Sequence, residues 1–135
     1  MWRMLMVMMA ASWLMLSACT SEPPRIGLDE IDFGLADAGS GEKLFHQSHN
    51  AAPTCSSCHA VTGEGGGIGN SLAGLAGVAS RRVSGQSAEE YLYWSILRPA
   101  KHLVAGYANV MYARYEDHFQ AEDLADVIAY LLTLD

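Results

Sequence analysis

The sequence predicts a small all-α domain, and three observations carry that expectation. No stretch sustains the alternation of apolar and polar residues that a half-buried strand requires. Ser87-Ala88-Glu89-Glu90 resembles a capping box, and Pro99 closes the segment that follows it. The last segment carries Leu124, Val127, Ile128 and Leu131 at helical spacing, with acidic residues in its first turn.

Taken in chain order, the first element is a leader. Met1 to Ala18 is almost wholly apolar, holds one charge at Arg3, and ends in Leu16-Ser17-Ala18-Cys19. A basic start, an apolar run of about a dozen residues and small residues before a cut describe an export signal. A membrane span needs about 20 apolar residues, so an uncleaved anchor helix is the lesser alternative. Leu-Ser-Ala-Cys resembles the bacterial lipobox, which implies cleavage after residue 18 and lipidation of Cys19. Two or more acyl chains are enough for stable anchoring. Lipidation also accounts for the odd one of the three cysteines. The expected location is the extracytoplasmic, periplasmic face of a membrane, with the lipid bilayer as a partner through acylated Cys19.

Residues 19–38 read as a flexible tether, because Pro23 and Pro24 oppose helix and no apolar period is sustained. The alternative for its Ile26–Phe33 part is docking on a neighbouring subunit. The domain itself is expected over 39–135. It opens with a short helix, Gly41 to His46, that turns Leu44 and Phe45 inward. Asn50 to Asn70 is a glycine-rich loop, a helix is expected from about Ala88 to Leu97, and the terminal helix follows. A domain this small buries a limited core and needs a staple.

Charge narrows the partners. Fifteen acidic residues against eight basic ones give a formal charge of −7. Such a chain is poorly suited to nucleic acid or to direct adhesion on anionic lipid.

The chemistry is concentrated in Cys55-Ser56-Ser57-Cys58-His59, the C-x-x-C-H pattern of covalent haem attachment. Two thiols on one turn can each form a thioether to the same porphyrin edge, and the adjacent His59 then reaches the iron. The competing reading is a redox disulfide, which normally follows a strand in a βαβ unit, and no such context is visible here. One covalent haem c would also be the staple the small core needs. A low-spin carrier requires a second axial ligand, and Met111 is the one methionine beyond the leader. It follows Gly106 in a loop-like stretch rather than an amphipathic stripe. His102 and His118 are the alternative ligands, and core filling is the alternative role for Met111.

From Gly41 to Leu134 the chain resembles the class I cytochrome c family. Gly41 and Phe45 match the glycine and aromatic of that family's first helix, and Tyr130 the aromatic of the last helix it crosses. Cys55, Cys58 and His59 match its haem site and Met111 its distal ligand. The resemblance implies short helices packed around one covalent haem. Tyr91 to Pro99 and Gly106 to Met111 look like the haem domains fused to oxidase subunit II and like the mono-haem lipoprotein subunit of alternative complex III. Two departures stand out. The family's Gly-Pro, whose proline carbonyl accepts a bond from the proximal imidazole, is Gly69-Asn70 here. Its Met-Pro is Met111-Tyr112. Tyr112, Arg81, Arg82 and Trp94 are candidates for contact with the haem propionates.

The expected function is therefore single-electron transfer rather than enzymatic turnover, with redox proteins as partners, in a respiratory or photosynthetic chain. The rival is a ligand-binding or peroxidatic haem protein with an open distal site.

Overall fold

The computed structural model describes residues 22–64 and 67–135. The expected leader, residues 1–18, and the expected lipidation site, Cys19, lie outside the described residues. Among these there are four α-helices joined by short 3-10 turns, and no strand. No helix among them is long and apolar enough to cross a membrane.

Helix α1 (Ala38–His46) begins where Asp37 caps it, its carboxylate accepting the Ser40 N–H at 2.7 Å. The Asp37 N–H in turn donates to Oδ1 of Asp126 at 2.7 Å, on helix α4 (Ala121–Leu131). Asp126 is buried, and that bond offsets part of the cost of taking a carboxylate out of water. The two helices cross closely because residue 41 has no side chain. A Cβ there would overlap the Asp126 carbonyl oxygen and stand 2.9 Å from Cβ of Tyr130. One turn on, the Phe45 and Tyr130 rings pack with centroids 5.4 Å apart.

Helix α4 starts with Glu122 and Asp123, which suit the positive end of the helix dipole. The Asp123 carboxylate also accepts the Gln120 N–H at 2.8 Å. Its expected apolar positions, Leu124, Val127, Ile128 and Leu131, are all buried. The short helix α2 (Leu75–Val78) is tied to the chain end by Ala76 N–H donating to Leu134 at 3.0 Å.

Helix α3 (Ala88–Leu97) carries half of the expected capping box. Ser87 Oγ accepts the Glu90 N–H at 3.1 Å. Glu90 does not reach back; its carboxylate instead accepts the Trp94 indole N–H, at 3.4 Å, one turn further on. A donor at i+4 on the same helix face competes directly with the cap.

The tether expectation requires correction. From Glu22 onward the segment is not free of the domain, because Ile26 and Ile31 are buried in the main core. A 3-10 turn at Leu28–Glu30 lets the segment fold back. Tyr93 donates its hydroxyl to the Ile26 carbonyl at 2.8 Å, and burial raises that phenol above its ordinary value, so it stays a donor. Arg25 N–H donates to Glu116 at 2.8 Å, the Arg25 side chain pairs with Asp117, and Arg98 donates to the Glu22 carbonyl at 3.2 Å. The segment that the sequence offered to a neighbouring subunit thus packs on its own domain. Two isoleucines too widely spaced for a helical stripe gave no periodic signal.

Tyr93→Phe is expected to strip the buried Ile26 carbonyl of its donor at a cost of about 1–2 kcal/mol. Amide hydrogen exchange checks it: residues 26–31 should exchange faster while α1 and α4 stay protected.

Candidate cofactor site

The site grows out of one tight turn. Cys55–Ser57 form a 3-10 turn in which the Cys55 carbonyl accepts from both Cys58 N–H at 3.1 Å and His59 N–H at 3.0 Å. Ser57 Oγ locks the turn by donating to Thr54 at 2.6 Å. The loop that follows returns to it: Gly69 N–H donates to the Cys58 carbonyl at 3.0 Å and Leu72 N–H to Ala60 at 2.8 Å.

This return positions the His59 ring. Its Nδ1 lies 2.8 Å from the Asn70 carbonyl oxygen. A carbonyl can only accept, so Nδ1 carries the proton and Nε2 presents its lone pair. The Gly69-Asn70 departure therefore keeps the carbonyl bond, since the acceptor is backbone and needs no proline. Gly69 lies flat on the imidazole, where a Cβ would sit 2.5 to 2.8 Å from three ring atoms. Gly69→Ala is expected to push the ring off Asn70 at a cost of about 2 kcal/mol. The exchange-protected Nδ1–H resonance, read by nuclear magnetic resonance, should then disappear.

Above the turn is a cavity of about 310 Å³, within the range that encloses small-molecule and cofactor groups. Leu92 and Ile96 of α3, Val127 and Leu131 of α4, and Phe45 of α1 make its walls apolar. Cys55, Cys58, His59 and Met111 all line it, so the four positions singled out by sequence converge on one space. No disulfide joins Cys55 to Cys58. Burial pushes the Cys55 thiol up to about 11, outweighing the lowering effect of Tyr115 beside it. Redox-active dithiols do the reverse and hold their attacking sulfur as a thiolate, normally after a strand, and no strand occurs among the described residues.

The other histidines separate cleanly. His118 spends both ring nitrogens, Nδ1 on the Asn50 carbonyl and Nε2 on the Tyr112 hydroxyl, each at 2.7 Å. It does not line the cavity. His46 stacks on Phe45, and His49 faces Asp123 at 3.4 Å. His102 does line the cavity, with a buried Nε2 that has no hydrogen-bond partner. Of the four propionate candidates, Tyr112 is engaged by His118, and Trp94 is held by Glu90 with Lys101 over its ring at 3.2 Å. Arg81 is absent from the lining and Arg82 is part of it.

Sequence reasoning missed Tyr115, which donates to the Pro53 carbonyl at 3.1 Å and packs edge-on against Tyr112 and at a tilt against Phe119. Burial, and then the neighbouring Cys55, hold its phenol above the ordinary value, so it remains a donor. The signal was there: aromatics at 112, 115 and 119 fall at helical spacing. The inward nitrogen of His102 had no signal in the sequence.

The family model that describes cytochrome c matches residues 38–135. The chain belongs to the cytochrome c family. No curated protein and no solved structure matches it. As a cytochrome c, it carries a covalently bound haem c, and its general role is haem-based electron transfer rather than enzymatic turnover. Its residues fit that group: paired thiols at the cavity edge, an imidazole lone pair beside them, an apolar wall and an unpartnered buried nitrogen. The all-α expectation with class I architecture is met.

Proposed function

We propose that this cytochrome is a mono-haem carrier anchored by acylated Cys19 on the extracytoplasmic face of a membrane, passing single electrons in a respiratory or photosynthetic chain. The observation that carries the reading is the convergence of Cys55, Cys58, His59 and Met111 on one cavity. When bound, the haem supplies a one-electron couple whose potential the protein tunes. Cys55 and Cys58 would hold it through two thioether bonds, each S–H adding across a vinyl group with sulfur on one carbon, hydrogen on its neighbour and no net oxidation. His59 would hold the iron through Nε2, and the Asn70 carbonyl fixes its tautomer and raises its basicity. Met111, on the lining of the same cavity, would supply its thioether as the second ligand. With His59 and Met111 both holding the iron, the protein would leave no open site for an exogenous ligand, which supports outer-sphere transfer over ligand binding or peroxidatic turnover.

The docked N-terminal segment bears on how the domain works at the membrane. Glu22, held by Arg98, is three residues from Cys19, at most about 11 Å of extended chain. So short a leash favours a fixed subunit over a roaming shuttle. The likeness of the Tyr91–Met111 region to the lipoprotein cytochrome of alternative complex III supports the same assignment, with the other redox subunits of such a complex as donor and acceptor.

The test is gentle detergent extraction from a host that exports and matures haem proteins. The expected product is a pigmented complex of fixed stoichiometry, an acylated peptide beginning at Cys19, and the long-wavelength methionine–iron band in the oxidised form. Pigment released into acidified acetone would overturn the covalent reading. Rapid carbon monoxide binding without the methionine band would favour the open-site rival.

A further inference from the structure

We infer that His102 is a haem-contacting residue, its Nε2–H donating a hydrogen bond to a propionate carboxylate; this rests on the haem site proposed above. Among the described residues, two buried side-chain polar atoms lack a partner, Oε1 of Gln86 and Nε2 of His102, and of these two residues only His102 lines the cavity. Native proteins rarely leave such a group unpaired, because desolvation without a hydrogen bond costs about 1–3 kcal/mol. Whatever fills the cavity is positioned to supply the missing bond.

A haem offers a histidine nitrogen two kinds of partner, its iron and its carboxylates. His59 and Met111 account for the iron, which leaves the carboxylates. The electrostatics agree. The chain holds fifteen acidic residues, yet none lines the cavity, and Arg82 is its one formally charged lining residue. Two of the other candidate donors are engaged, Tyr112 with His118 and Trp94 with Glu90, and Arg82 on the same lining adds a positive charge that suits a carboxylate. The His102 ring packs against Tyr91 with centroids 5.9 Å apart, and that contact limits how far the imidazole can turn. The residue is half-buried, so water can satisfy Nδ1 while Nε2 carries the proton.

The experiment compares haem-loaded wild type, His102→Leu and His102→Gln. Resonance Raman spectroscopy reads the propionate bending band, and redox titration reads the midpoint potential. Leucine should shift the band and lower the potential, because an unpaired carboxylate leaves more negative charge near the iron and favours its oxidised form. Glutamine, which keeps an N–H donor, should retain the wild-type band. Both variants should keep the methionine–iron band. A fully loaded leucine variant with wild-type band and potential overturns the inference, leaving His102 a packing residue. Should the leucine variant fail to load, wild type decides: nitrogen-15 spectra of the reduced protein should show an exchange-protected Nε2–H at His102, and its absence overturns the inference. A wild type whose pigment proves non-covalent sinks the haem proposal first, and this inference with it. Covalent pigment without the protected proton sinks this inference alone.

Discussion

Gly41→Ala is expected to lower the thermal midpoint by roughly 8–16 °C, even though alanine is the better helix former by about 1 kcal/mol. The new methyl group would overlap the Asp126 carbonyl oxygen and press on Cβ of Tyr130 at 2.9 Å. Backbone cannot rotate away as a side chain can, so α1 and α4 must separate. Overpacking typically costs about 1–3 kcal/mol, and a backbone clash belongs at the upper end. Separation would also loosen the Phe45–Tyr130 pair and the Asp37–Asp126 bond, which span the same crossing. Calorimetry on the haem-loaded protein checks it. An unchanged or higher midpoint would mean that the crossing is not the constraint argued above.

The double variant Cys55→Ser, Cys58→Ser should yield no covalent haem at all, and a chain that barely folds. Both thiols line the cavity of about 310 Å³, and no other cysteine is found among the described residues. At about 24 cal/mol per Å³, an unfilled space of this size costs up to roughly 7 kcal/mol. Water entering past the exposed rim residues Ile68, Leu103 and Val110 would reduce that figure. Even so, it rivals the whole stability of an ordinary domain, about 5–15 kcal/mol. Circular dichroism should show most helix lost and acidified acetone should extract any residual pigment. Each single variant should keep one thioether and stay coloured. A double variant with full helix content would show that the polypeptide core suffices without its plate.

How much of this was legible beforehand depended on the range of the signal. The chain positions of α3 and α4 were readable because a cap, a proline and a helical stripe are local features that act within a few residues. The attachment motif was readable for the same reason, since two thiols and an imidazole must share one turn to meet one porphyrin edge. The capping box was half wrong because Trp94, one turn away, competes for Glu90. The stretch from Glu22 to Asp37 looked like a tether because its anchoring is supplied by residues distant in sequence: Tyr93, Arg98, Glu116 and Asp126. Local composition carries no record of such partners.

The same division holds at the site. Residue types and spacing alone pointed to the thiols and the imidazole that could serve a haem and made Met111 the leading candidate beside His102 and His118, because covalent reach and ligand chemistry are properties of the residues themselves. Folding decided the rest: that Asn70 offers its carbonyl to His59, that His118 is consumed by Tyr112 and Asn50, and that His102 turns a bare nitrogen inward. Those outcomes depend on which groups are brought within hydrogen-bond distance and sealed from water, and only the packed chain determines that.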